Sequence, residues 1–151
     1  MDTRLLLVFV HVLTAAVWYG GLMVAMVAIR AARGAGSPAS GVAVVRRYQR
    51  VAWIALVVLL ATGAYNVMPW VPVLQSGGGM QRFMWTLTAK VALFGAVVAV
   101  TAAQQWLHVR ALGAGETKGF DGYLTLARVN LLLGAIVLFL GVSLTVRGGL
   151  G

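Results

Sequence analysis

The stretch FMWTLTAKVALFGAVVAVTAAQQWLHV, residues Phe83–Val109, decides the fold class of this chain. It is longer than the roughly 20 residues that a membrane-spanning helix needs, and it contains no Asp or Glu. One charged side chain, Lys90, lies inside it. A lysine at membrane depth is costly and as a rule faces a bundle interior, a cavity or a bound anion. The stretch therefore predicts a transmembrane helix with a polar contact on one face.

Three further apolar runs accompany it, at Leu5–Ile29, Val51–Val67 and Val129–Val146. The chain is 61% hydrophobic and 10% charged, against about 45–50% and 25% in soluble domains. We predict an all-α integral membrane protein, in which residues 1–151 form a single four-helix up-down-up-down bundle with helices at about 4–32, 42–67, 81–112 and 120–147. The first run exceeds the apolar region of a signal peptide, so we expect it to be an uncleaved span.

Basic side chains are unevenly distributed between the two ends of the predicted bundle. Those flanking the first and third connections are Arg30, Arg33, Arg46, Arg47, Arg50, Arg110, Lys118 and Arg128, whereas Arg4, Arg82 and Arg147 lie at the opposite ends. By the positive-inside rule, this predicts cytoplasmic first and third connections and external termini, in a bacterial-type inner (plasma) membrane. The net charge of +9 is explained by this topology and by attraction to the lipid bilayer, so a nucleic-acid partner is not expected.

Polar residues of the four runs fall at one predicted depth. At 1.5 Å per residue, His11 lies about 10 Å in from the outer end of the first helix, and Lys90 lies at the same level on the third helix, which runs parallel to it. The predicted layer comprises His11, Thr62, Asn66, Thr86, Lys90, Ser143 and Thr145. We predict that His11 and Lys90 line one interior site. In the alternative, the hydroxyls bond their own helices and Lys90 extends toward the membrane surface.

The second histidine, His108, follows Lys90 by five turns on the same face of the third helix, about 27 Å away. The two histidines are therefore too far apart to bind one haem or one metal ion within a single chain. Thr101 and Gln104 lie between Lys90 and His108 on that face, which is either a conduit or a buried seam. Arg128 and Asn130 are expected near His108, where the cluster would suit an anionic lipid headgroup or a propionate, or anchor the helices at the interface.

Four motifs carry a family resemblance: HVLTAAVWYGGL (His11–Leu22), RRYQRVAWIALVVLLATGAYN (Arg46–Asn66), the W-x4-K of Trp85 to Lys90, and RVN (Arg128–Asn130). They resemble the helices of the copper resistance protein D (CopD) family. The resemblance implies a four-helix membrane fold and copper transport or resistance. The histidine of the first helix and the lysine of the third also resemble those of HemJ-type protoporphyrinogen oxidases, in which these positions are tied to haem and activity.

Three functions stay open from the sequence. Copper would suit His11 with Met68, Met80 and Met84, since imidazole and thioether bind copper, although the chain lacks Cys and a protonated Lys90 repels a cation. In a haem b protein, His11 would be an axial ligand or proton shuttle, and Lys90 would pair with a propionate. Such a protein could be a membrane oxidoreductase acting on a porphyrinogen or a quinone-like substrate.

The third function is that of an accessory subunit. In a homo-oligomer or a larger membrane complex, a partner's carboxylate or a lipid would meet Lys90. The sequence does not decide between copper, haem b and no cofactor, and it does not decide whether the chain is an enzyme.

Overall fold

The structure is a computed structural model that describes residues 2–36, 38–68, 81–109 and 118–148, apart from the side chains at 38, 82, 118 and 144–148. The helices are α1 (Thr3–Gly34), α2 (Pro38–Val67), α3 (Gln81–Ala103), which continues as a π-helical segment (Gln104–Val109), and α4 (Lys118–Gly148). All four are long and apolar enough to cross a membrane, with mean hydropathy of 1.6 to 2.0. The prediction of an all-α, four-helix membrane protein is confirmed.

Local chemistry fixes both ends of α1. The Asp2 carboxylate accepts a hydrogen bond of 2.9 Å from the backbone N–H of Arg4, which satisfies one of the free donors at a helix start. After Gly34 the chain turns through Gly36, whose φ of 65° lies in the left-handed region that glycine adopts without steric cost. Two residues later α2 begins, so α1 and α2 form a tight helical hairpin.

The helices of each consecutive pair run antiparallel. In the first pair, His11 bonds Thr62, and Gly41 at the other end lies so close to Ala32 that a Cβ on Gly41 would be 2.8 Å from the Ala32 Cβ. In the second pair, a Cβ on Gly141 would lie 3.2 Å from Lys90 Nζ. Glycine thus permits close helix approach in the first hairpin, and contact of the Lys90 side chain with α4 in the second.

Helices α1 and α4 join the two hairpins and also run antiparallel. Arg33 Nη1 lies 2.6 Å from Asp121 Oδ1 in an exposed ion pair, and further along the helices Gly134 packs against the Trp18 ring. Because α1 is antiparallel to both α2 and α4, the bundle is up-down-up-down. We call the end near the ion pair the basic end and the opposite end, where α1 starts and α4 finishes, the terminal end.

The packed core lies in the half of the molecule toward the basic end. Helix α3 shows this distribution most clearly, since no described residue between 81 and 96 is buried, whereas Val97, Thr101, Gln104 and Val109 are. Helix α2 approaches α3 mainly at the π-helical segment. The terminal halves of the two hairpins are therefore less closely packed against each other, and this is where the predicted polar layer lies.

Candidate functional site

The centre of the predicted polar layer is a hydrogen bond between helices α1 and α2. His11 Nδ1 lies 2.7 Å from Thr62 Oγ1, and the Thr62 hydroxyl donates its only hydrogen to the Val58 carbonyl oxygen at 2.7 Å. Thr62 Oγ1 therefore accepts from His11, and His11 carries its proton on Nδ1. The lone pair of a neutral imidazole is then on Nε2, the atom available to a metal ion or a proton donor.

The surroundings of His11 are formed by α2. The imidazole rests on Gly63, where a Cβ would lie 3.5 Å from the ring carbon Cε1. Asn66 follows Thr62 by four residues and lies on the same face of α2. Its Oδ1 is buried and has no hydrogen-bond partner among the residues that the structure describes. An imidazole nitrogen and an amide oxygen are thus available in this region.

Lys90 of α3 lies close enough to His11 for their charges to interact. It is partly buried, and its ammonium group is against the backbone of α4 at Gly141. The structure therefore places both predicted partners in the same part of the bundle. A cation bound at His11 would be repelled by a protonated Lys90.

The other residues of the predicted layer are less centrally placed. Thr86 and Ser143 are partly buried on α3 and α4. The side chain of Thr145 lies outside the described residues. Thr62, by contrast, is 7% exposed, so it is the most enclosed of the layer's hydroxyl residues whose side chains are described.

The predicted methionines lie nearer the terminal end. Met68 is 62% exposed directly after α2, and Met84 is 44% exposed in the first turn of α3. Met80 lies outside the described residues. Met68 follows Thr62 by six residues and Met84 precedes Lys90 by six, which corresponds to about 9 Å along a helix axis in each case.

The chemistry open to this site is limited by its donors. Within the described ranges, no three His, Cys, Asp or Glu side chains come together as a metal-binding group. Among the described side chains, the soft or borderline donors near the terminal end are His11 Nε2 and the Met68 and Met84 thioethers. Such donors bind copper more readily than they bind hard divalent cations.

His108 and Arg128 are separate from this layer. His108 lies in the π-helical segment near the basic end, where its imidazole packs directly on Gly122 of α4. Arg128 is exposed on α4. The structure thus places His108 in a helix contact and Arg128 at the surface, and neither is brought to His11.

The face of α3 that joins Lys90 to His108 is not continuously polar. Val97, two turns after Lys90, is 2% exposed and belongs to the hydrophobic core. Beyond it lies a group that we call the Thr101 cluster: Gln49, Thr101, Gln104 and Asn130. The sequence predicts Thr101 and Gln104 on this face and Asn130 near His108, but Gln49 is not predicted, because its only sequence signal is an amide beside an apolar run.

The sequence of this chain matches a known protein family. A family model described as copper resistance protein D, CopD, matches residues 42–144. The matched range includes Thr62, Asn66 and Lys90, whereas His11 precedes it. No curated protein and no solved structure gives a match. Because the family model covers more than half of the chain, this four-helix membrane protein belongs to the copper resistance protein D family.

Proposed function

We propose that this chain binds Cu(I) in the terminal half of its bundle and passes it into or across the membrane as part of copper resistance. Family membership supports a role in copper resistance. The observation that carries the residue-level proposal is the bond from His11 Nδ1 to Thr62, since it leaves Nε2 as the ligand atom. A histidine held in this way is the usual arrangement of metal-binding imidazoles, whose second nitrogen bonds a neighbouring acceptor.

The positions of the methionines indicate the direction in which copper would move. Met68 and Met84 are exposed near the terminal end, about 9 Å outward of Thr62 and Lys90, respectively, along their helices. Thioethers bind Cu(I) readily. We propose that they meet the ion first and that His11 receives it by ligand exchange.

Lys90 makes the proposed site weaker than its ligands alone would. A protonated amine within electrostatic range of His11 opposes a bound cation. A transport site must release its ion as well as bind it. We therefore assign Lys90 the role of limiting the lifetime of copper at His11.

Copper occupancy of the purified protein tests the proposal. The chain would be loaded with Cu(I) under reducing conditions, and bound copper would be measured against protein concentration for wild type, His11→Ala, Lys90→Met and His108→Ala. We expect His11→Ala to lose copper, Lys90→Met to retain it with equal or higher affinity, and His108→Ala to match wild type. His108→Ala is the matched control, because it removes the chain's other imidazole from a place distant from the layer.

The same samples test the alternatives. A Soret band in the wild-type absorbance spectrum that is lost in Lys90→Met would show that the protein binds haem b rather than copper. Unchanged copper in His11→Ala would contradict the proposed ligand and make the polar layer a structural feature, in which case an accessory-subunit role would lead.

The proposed direction of copper movement depends on orientation. We propose that both termini are external and that the basic end is cytoplasmic, in a bacterial-type inner membrane, which the distribution of Arg and Lys supports. Copper would then meet the methionines from outside the cell.

A further inference from the structure

A second polar centre, the Thr101 cluster, lies in the half of the bundle toward the basic end. Gln49 Nε2 of α2 donates to the Thr101 backbone oxygen at 3.0 Å, and Asn130 Nδ2 of α4 donates to Thr101 Oγ1 at 2.9 Å. Asn130 Nδ2 also lies 3.4 Å from Gln104 Oε1. Three helices are therefore connected through one threonine.

The network fixes which way each amide points. The Thr101 hydroxyl donates to the Val97 carbonyl oxygen at 2.8 Å, so its oxygen accepts from Asn130, and the Asn130 group facing it is the NH₂. The Thr101 backbone oxygen can only accept, so the Gln49 group that faces it is the NH₂. The Asn130 NH₂ can only donate, so the Gln104 group that faces it is the oxygen. Each assignment follows from the donor and acceptor inventory of the groups.

These orientations leave three polar atoms unused. Gln49 Oε1, Gln104 Nε2 and Asn130 Oδ1 are buried and have no hydrogen-bond partner within the described part of the chain. The three side chains are 4%, 1% and 1% exposed, respectively. A buried polar group without a hydrogen-bond partner is strongly destabilising, so three such groups around Thr101 indicate a bound partner.

The chemistry of the three atoms selects that partner. Two are carbonyl oxygens, which need a donor or a cation, and one is an amide NH₂, which needs an acceptor. A cation would satisfy the oxygens but be repelled by the NH₂, and an anion would do the reverse. A small molecule that both donates and accepts satisfies all three, and buried water commonly bridges such groups with about three hydrogen bonds.

We propose that the Thr101 cluster is an internal water-binding site, in which ordered water bridges α2, α3 and α4. The position in the fold supports this. The π-helical segment begins at Gln104, three residues after Thr101, whose carbonyl oxygen accepts from Gln49. Side chains or water inserted at a helix backbone are recognised causes of such irregular turns. Val97, buried in the core, separates the site from Lys90, so the proposal does not depend on copper at His11.

Water-edited solid-state NMR of the protein in lipid bilayers tests the site directly. Magnetisation is transferred from water to protein protons and detected on the side-chain ¹⁵N signals of Gln49, Gln104 and Asn130. We expect transfer to Gln104 Nε2 and Asn130 Nδ2 at short mixing times. The backbone amide of Leu22, a fully buried apolar residue, serves as the dry reference, and equally slow transfer to all these groups would overturn the proposal.

Two variants locate the water. Asn130→Leu removes one of the oxygens that would hold it, and we expect loss of the water transfer to Gln104 Nε2. Thr125→Val is the matched control, since it also removes a polar group from α4, where the hydroxyl bonds only its own helix and is exposed. If Asn130→Leu does not fold, Thr101→Val replaces it, since it removes the acceptor that orients Asn130. Transfer to Gln104 that persists unchanged in the folded variant would contradict the site.

Discussion

At the scale of single residues, the copper-ligand role that we propose for His11 depends on Thr62, which is itself a weak metal ligand. Thr62 has one hydroxyl hydrogen, and the Val58 carbonyl accepts it. Its oxygen therefore fixes the His11 proton on Nδ1 and directs the Nε2 lone pair to the site. Partners of this kind orient metal ligands, and removing them typically lowers metal affinity 10- to 100-fold.

Thr62→Val tests this positioning role. The substitution keeps the shape of the side chain but removes the acceptor, so we expect that His11 no longer favours the Nδ1–H tautomer. We also expect the Cu(I) affinity to fall about 10- to 100-fold. The tautomer is measured from the imidazole ¹⁵N shifts and the affinity by competition with a Cu(I) chelator. Thr62→Ser should retain both properties.

Thr14→Val is the control for that experiment. The Thr14 hydroxyl also bonds the carbonyl one turn earlier, that of Val10, at 2.7 Å. If Thr14→Val changes the His11 tautomer as much as Thr62→Val does, the assigned role of Thr62 is wrong. If Thr62→Val changes the tautomer but not the copper affinity, copper binding does not depend on this hydrogen bond.

At the scale of helices, the contact between α1 and α4 depends on the small size of Gly134. A Cβ placed there would lie 2.8 and 3.0 Å from the Trp18 ring and 3.2 Å from Tyr19. Trp18 is 4% exposed, so its ring has little room to move. This contact holds the two hairpins together in the packed half, with the exposed Arg33–Asp121 pair contributing at most about 1 kcal/mol.

We therefore expect Gly134→Ala to destabilise the protein by about 1–3 kcal/mol through overpacking. Thermal unfolding in detergent micelles measures the effect as a lower Tm. Gly95→Ala is the matched control, because a Cβ at Gly95 would meet nothing within 4 Å. A Tm for Gly134→Ala that equals that of Gly95→Ala would show that the α1–α4 contact accommodates an added methyl group and does not depend on Gly134.

At the scale of the whole molecule, packing and charge divide the protein into two halves. Toward the basic end the helices enclose a continuous core and the Thr101 cluster, whereas toward the terminal end they are half-exposed around His11 and Lys90. Large apolar side chains such as Phe139, 69% exposed, cover the outside, as expected for a surface that contacts lipid. The less packed half is the one in which we propose that copper binds.

The orientation of this asymmetric molecule is testable because the chain has no cysteine. Single-cysteine variants Ser76→Cys, in the connection between α2 and α3, and Ser40→Cys, near the start of α2, would be treated on intact cells with a membrane-impermeant maleimide. By the positive-inside rule we expect labelling of Ser76→Cys alone. Both variants should label after the membrane is permeabilised, and labelling of Ser40→Cys alone in intact cells would reverse the proposed orientation.

The sequence by itself determined the membrane-spanning, all-helical fold, because each run of apolar residues must satisfy its backbone hydrogen bonds internally in lipid. The family also followed from motifs spread along the chain. Depth along each helix was accessible as well, since a fixed rise per residue is enough to place His11, Thr62 and Lys90 at one level.

Only the tertiary structure decided which polar groups meet, because that depends on how each helix is rotated and how closely its neighbours approach. It connected His11 to Thr62 and thereby fixed the tautomer, and it placed Val97 across the polar face of α3. It also turned Asn130 inward to Thr101 and brought Gln49 to the same residue. These contacts join residues 29 to 52 positions apart, and helix periodicity within one span does not encode them.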